Sequence, residues 1–189
     1  SRSGYIYYPA WSPDGLQMAF LSNKPTWSLY EDLYILDFTD QSWLNVTNIP
    51  DNELEGGVVH GIVAFPSNLR WSPNGEFITF TGLAQGSDYC GMMGAPESCR
   101  EITNLFIATA DGSSLHNLTG PLGSESRYDW SPDGTRIAYE TNRDGNWEIY
   151  IINPDGSDMV NLSQNLADDR APSWSPDGTR ILCHTRGSG

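Results

Sequence analysis

Basic residues are scarce in this chain. Ten Lys and Arg stand against 24 Asp and Glu in 189 residues, a formal net charge of −14. That balance argues against a nucleic-acid partner, whose phosphates need a positive surface. A solvated exterior accounts for the acidity, and cation binding or recruitment of a basic partner are the sharper readings. No run of 18 apolar residues exists, so no segment reads as a transmembrane helix. No apolar period of 3.6 persists over 11 residues, which argues against helices. The three histidines, His60, His116 and His184, lie in unrelated contexts without His-x-x-x-His or Glu-x-x-His pairing, which counts against a zinc site. Neither a Gly-x-Ser-x-Gly elbow nor a phosphate loop occurs, so no catalytic motif is visible and a non-enzyme is expected. No signal-peptide pattern opens the sequence, and Ser1-Arg2-Ser3-Gly4 reads like the interior of a longer chain or a processed start.

Cysteine is nearly absent too, with three residues. Cys90 and Cys99 bracket a stretch with too little apolar content to hold itself. A disulfide between them would restrict the unfolded chain and imply an oxidising compartment, outside the cytoplasm. Two free thiols, or half of a metal site, are the alternatives. Cys183 occupies a repeat position otherwise held by Phe20, Phe80 and Tyr139, so a buried core thiol is expected there.

Turn formers are plentiful, with 19 Gly and 12 Pro beside 12% aromatic residues. They are organised by one motif. Trp11-Ser12-Pro13-Asp14-Gly15 is followed by Trp71-Ser72-Pro73-Asn74-Gly75, Trp130-Ser131-Pro132-Asp133-Gly134 and Trp174-Ser175-Pro176-Asp177-Gly178. Pro presets φ for the turn, Asp caps a nearby N–H, and Gly takes the left-handed conformation. A period-two pattern follows each turn, so each reads as a β-hairpin entered by Trp. A second block aligns without gaps between 32–47, 104–119 and 148–163, each a strand, a polar turn and a strand ending in Asn-(Leu/Val)-(Thr/Ser). Trp130 to Trp174 spans 44 residues, whereas Trp11 to Trp71 spans 60 and Trp71 to Trp130 spans 59. The excess lies in two insertions, roughly 48–60 and 86–100.

A period near 44 with four strands per unit predicts an all-β chain of propeller blades. Three full units and half of a fourth are expected, near 5–47, 61–119, 125–163 and 171–186, forming one partial or assembled propeller domain. The pattern resembles the WD-like propeller repeats of the TolB type, in which Trp-Ser-Pro-Asp-Gly precedes an Ile-Ala-Phe-like strand. Here that strand reads Met18-Ala19-Phe20, Ile78-Thr79-Phe80, Ile137-Ala138-Tyr139 and Ile181-Leu182-Cys183. The later Asp-Gly-Ser turn appears at Asp111-Gly112-Ser113 and Asp155-Gly156-Ser157, while the first unit departs from it with Thr39-Asp40-Gln41-Ser42. The resemblance covers nearly the whole chain outside the insertions. It implies an extracytoplasmic interaction module of a cell-envelope complex, or one in the extracellular space, with partners on a loop-bearing face or at the channel mouth. The rivals are the propeller of a larger peptidase or lyase, and a self-assembling surface layer or fibre. Three and a half blades leave open sheet edges, where missing sequence, a protein partner or further copies are expected to pair.

Candidate site residues follow from the same repeats. Trp11, Trp71, Trp130 and Trp174 recur in register and are expected in the seams between blades. Trp27, in a loop, is the candidate exposed anchor. No cofactor is required by any motif, and calcium is the one ion that two loops raise. Asn142, Asp144, Asn146 and Glu148 alternate around a Gly like the start of a calcium loop, and Asp51, Glu53 and Glu55 do so more loosely. Asn153 and Ile62 stand where such a loop needs its final Glu, so a polar turn is the plainer reading. Asn45, Asn117 and Asn161 match the N-glycosylation triplet, but they share one repeat position, which the repeat itself explains.

Overall fold

The computed structural model of the chain describes residues 6–23, 31–47, 63–83, 102–120 and 122–187. Cys90, Cys99, Trp27, His60, Asp51, Glu53 and Glu55 lie outside the described residues. The chain forms four-stranded antiparallel blades. Blade one is β1 (Ile6–Trp11), β2 (Gln17–Asn23), β3 (Glu31–Asp37) and β4 (Trp43–Asn45). Blade two is β5 (Val63–Trp71), β6 (Phe77–Leu83), β7 (Thr103–Thr109) and β8 (Leu115–Asn117). Blade three is β9 (Glu125–Trp130), β10 (Ile137–Thr141), β11 (Glu148–Ile152) and β12 (Val160–Asn161). A two-stranded sheet follows, β13 (Asp168–Trp174) with β14 (Ile181–Arg186). β13 starts upstream of Ala171 because Asp169 at its head accepts the Thr185 hydroxyl and donates its N–H to Trp147 O.

Each Trp turn is closed by the same bonds. In the third, Gly134 N–H donates to Ser131 O at 2.8 Å, and Ser131 Oγ donates to Asp133 Oδ1 at 2.6 Å. The same hydroxyl accepts Arg136 N–H at 2.9 Å, so Ser couples the turn carboxylate to the start of the next strand. Gly134 has φ 71°, and a Cβ there would come within 2.9 Å of Asn74, because each turn stacks on its predecessor.

Period-two alternation turns each blade into a two-faced layer. Ile78 and Phe80 of β6 pack back onto Leu21, Leu33 and Ile35 of blade one. Leu105 and Ile107 of β7 pack forward onto Tyr128, Trp130, Ile137 and Tyr139 of blade three. The Trp ring reaches back across every seam. Trp71 is 8% exposed and its Nε1–H donates to Ala10 O at 3.0 Å. Trp130 is 6% exposed and donates to Thr79 Oγ1 at 2.9 Å.

Two of the four tryptophans depart from the expected burial. Trp11 is 58% exposed, because no blade precedes β1 among the described residues, and it stacks instead on Phe38 with centroids 5.0 Å apart. Trp174 is half-buried under the Arg136 guanidinium, 4.9 Å from its ring. Its buried Nε1 has no hydrogen-bond partner, since Ala138 stands where Thr79 offers a hydroxyl. Cys183 is half-buried and free, not the core thiol its repeat position suggested. No outer strands cover its sheet among the described residues, whereas Phe20, Phe80 and Tyr139 lie under theirs.

A polar network closes the seam between blades two and three. Glu125, at the head of β9, is buried and accepts Asn104 Nδ2 at 2.9 Å, Thr119 Oγ1 at 3.0 Å and Thr141 Oγ1 at 2.8 Å. Arg143 Nη2 lies 3.6 Å away and also donates to Thr119 O at 2.9 Å. Burial pushes the Glu125 carboxyl up, against the pull of these donors.

Trp130→Ala is expected to cost about 3–5 kcal/mol, since it empties a packed seam and leaves Thr79 without its donor. Trp11→Ala is expected to cost about 1 kcal/mol or less, the value of one exposed aromatic stack. Denaturant midpoints measure both, and equal losses would contradict the seam assignment.

Candidate functional site: a groove across the inner strands

The first strands of the sheets are the inner ones. β1 lies beside β5 and β9 beside β13, while β5 is tied to β9 by Asn68 Nδ2 donating to Ser126 O at 2.9 Å. Each inner strand breaks register once or more before its Trp. In three of them the residue three before Trp has positive φ: Tyr8 at 51°, Asn68 at 55° and Ala171 at 55°. Asn tolerates that conformation; Tyr and Ala are strained in it. The bulge bends the strand and re-aims its side chains.

A cavity of about 340 Å³ opens at these bulges across β5, β9 and β13. Asn68, Arg70, Arg127, Asp129, Ala171 and Ser173 contribute to its wall. It is the size of a small ligand pocket, and its wall mixes polar and apolar surface. The floor is rigid. Tyr128 is buried, its single hydroxyl proton lying between two carbonyl acceptors, Thr79 O at 2.9 Å and Asn68 O, and burial pushes that hydroxyl well above its ordinary range. Arg70 sits over the Tyr128 ring at 5.6 Å and pairs with Asp129 Oδ1 at 3.2 Å.

Two carboxylates of blade three hold β13 in place. Asp129 Oδ2 accepts the Trp174 N–H at 2.8 Å, and the buried Glu140 Oε2 accepts the Ala171 N–H at 2.6 Å. Glu140 Oε1 accepts the Ser126 hydroxyl and lies 4.0 Å from Arg170, whose guanidinium covers Trp147 at 3.8 Å. Arg127 differs from these groups. It is exposed on the cavity wall and makes no hydrogen bond or ion pair among the described residues.

Sequence reasoning did not single out Arg70, Arg127, Asp129 or Glu140. The available signal was the charged residue directly ahead of two of the repeat tryptophans, Arg70 before Trp71 and Asp129 before Trp130, where Ala10 and Ser173 stand in the other two repeats.

The singled-out loop residues are each engaged by protein groups, and Asp144 and Glu148 share Asn161 Nδ2 as a donor. Asn142 Oδ1 accepts Ser124 N–H at 2.8 Å, and Asn146 Nδ2 donates to Ala167 O at 2.8 Å. Asp144 accepts the Tyr150 hydroxyl, and burial followed by that bond pushes Tyr150 up to about 12. Glu148 accepts Asn161 Nδ2. Among the described residues, no three His, Cys, Asp or Glu side chains are grouped closely enough to hold a metal ion.

The Asn-x-Thr/Ser triplets form a clasp between the third and fourth strands. Asn45 Nδ2 donates to Asp32 Oδ2 at 3.0 Å and Asn117 Nδ2 to Asn104 Oδ1 at 2.9 Å. The triplet hydroxyls accept an N–H near the start of the third strand: Leu33 to Thr47 at 3.0 Å, Leu105 to Thr119 at 3.2 Å and Ile149 to Ser163 at 3.0 Å. All three triplets thus have one structural role. Tyr7, Tyr8, Trp11, Phe38 and Trp43 are exposed aromatics on blade one, Trp43 being 61% exposed and edge-on to Phe20 at 5.6 Å.

The geometry has counterparts among known proteins. No family model matches the chain. It is 25% identical over 144 residues to the protein TolB homolog of Chlorobium luteolum, covering 76% of this chain and 25% of that protein. The structure of putative TolB from Agrobacterium tumefaciens matches with a TM-score of 0.60 at 21% identity, over 93% of this chain and 52% of that one. An oligogalacturonate lyase in complex with manganese matches with a TM-score of 0.60 at 12% identity, over 94% of this chain and 46% of that one. The chain therefore spans about a quarter of the curated relative and about half of the solved TolB. The fold is a partial, TolB-like β-propeller.

The turn carboxylates set an acid limit on this scaffold. Hydrogen bonds from Ser131 and Thr135 hold Asp133 down at about 2, below its ordinary 3.8. A lowered carboxylate contributes stability above its unfolded value and loses it as pH falls through the folded one. Blade two already has Asn74 at this position and keeps the turn, with Ser72 Oγ donating to Asn74 Oδ1 at 2.6 Å. Asp133→Asn is thus expected to fold. The stability gap between wild type and variant is expected to be flat above about pH 5 and to shrink between about pH 4 and 2. A gap independent of pH, read from urea titrations, would contradict the turn assignment.

Proposed function

We propose that this chain is a non-enzymatic, TolB-like interaction module of the cell envelope or extracellular space, and that it takes a protein partner on the inner-strand groove. The observation that carries this reading is the cavity across β5, β9 and β13, which has a hydrogen-bonded floor and one exposed arginine without a partner among the described residues. Asn68, Arg70, Tyr128 and Asp129 are held before any ligand arrives, so the ordering cost of binding falls mainly on Arg127. Similarity to the Chlorobium luteolum TolB homolog supports an extracytoplasmic setting, as does the expected Cys90–Cys99 pair. Further β-structure, from another copy or another segment, fits along the outer side of β14, where no strand pairs among the described residues and Leu182 is 75% exposed. A second reading, the propeller part of a larger enzyme, draws on the fold likeness to the lyase.

Filling the groove separates these readings. The chain and its Ser173→Trp variant are immobilised side by side and offered envelope and secreted proteins of the source cell. The wild type is expected to retain a protein that the variant loses. Equal retention by both removes the groove from the binding surface, and turnover of oligouronates by the wild type would favour the enzyme reading.

A further inference from the structure

The groove has a charge count of its own. In a chain of net charge −14, its wall carries Arg70 and Arg127 against Asp129 alone, a local balance of +1. Other arginines of the seams have partners: Arg136 covers Trp174, Arg143 pairs with Glu125, and Arg170 covers Trp147 beside Glu140. Asp129 is doubly engaged, by Arg70 and by the Trp174 N–H, so it is not free to swing onto Arg127. Arg127 thus presents donors to the cavity while the nearest wall carboxylate faces other groups. Asn68 uses its Nδ2 on Ser126 O, which leaves its carbonyl oxygen as an acceptor at the same wall.

We infer that this groove is a carboxylate subsite: Arg127 receives a single Asp or Glu side chain, or a chain-terminal carboxylate, of the bound peptide. The inference rests on the groove being the contact surface. A carboxylate is the anion that fits. One negative charge neutralises the wall, whereas a phosphate dianion would leave an excess negative charge in a strongly acidic protein. The planar guanidinium matches a carboxylate in two parallel hydrogen bonds. The neighbouring Asn68 oxygen and Ser173 hydroxyl suit the amide groups flanking such a side chain. Arg70 acts at one remove, by keeping Asp129 neutralised.

The test uses defined peptides, so it does not depend on any protein partner. The full chain is titrated with acetyl-Ala-Ala-Asp-Ala-amide, its Asn analogue and its phosphoserine analogue at constant ionic strength, following arginine Nε–H resonances. The Asp peptide is expected to shift Arg127 saturably and to bind about tenfold or more tightly than the Asn peptide, the worth of one charge-assisted hydrogen bond. Arg127→Gln is expected to abolish that preference, Arg70→Gln to reduce it, and Arg180→Gln to leave it unchanged. Equal affinity for Asp and Asn peptides, or equal shifts at Arg180 and Arg186, would overturn the inference while leaving the groove a candidate protein surface. Tighter binding of the phosphoserine peptide would overturn the choice of carboxylate.

Discussion

The indole that closes each hairpin also closes the seam behind it, and the rest of the fold depends on that double duty. A blade packed between two neighbours, as blade two is here, has two apolar faces and cannot keep both in water. Trp71 and Trp130 reach back to the preceding blade with ring and N–H together, so the hydrophobic contact and the one polar group it buries are satisfied at once. The acceptor differs between seams, a backbone carbonyl at Ala10 and a hydroxyl at Thr79, yet the ring position is the same. Where neither acceptor is reached, at Trp174, the N–H is orphaned and a guanidinium covers the ring. That seam relies more on charge than the other two.

The groove is a consequence of that reliance. Asp129 and Glu140 catch the backbone of β13 by its N–H groups, and this positions the bulge at Ala171 opposite the bulge at Asn68. Releasing that backbone would take a donor from each carboxylate, and at Glu140 it would do so in a buried seam, which opposes movement of β13. The inner strands therefore offer a preformed surface, while the outer strands and their Asn-x-Thr/Ser clasps keep each sheet closed at its rim.

The architecture was legible in the residues because the turn repeats four times in register, and a four-strand period near 44 has few other solutions. The groove was not. Its bulges fall on Tyr8, Asn68 and Ala171, and only Asn has any preference for the left-handed region. Asp129 and Glu140 look like ordinary strand polar residues, since nothing in a period-two pattern says which polar position faces a neighbouring backbone. The exposure of Trp11 was hidden for a related reason. A repeat states what each unit contains, and burial depends on which unit comes before it. The Asn-x-Thr/Ser triplets went the other way, because their shared repeat position pointed to a structural role, and the hydroxyl-to-N–H bonds supply it.

The backward docking of each indole is tested most directly by hydrogen exchange at the tryptophan Nε1–H groups, resolved by NMR in the full chain. Burial and a protein acceptor predict slow exchange at Trp71 and Trp130 and fast exchange at Trp11, with Trp174 between them. An indole of Trp130 that exchanges as fast as that of Trp11 would contradict the docking, and with it the seam on which the groove is built.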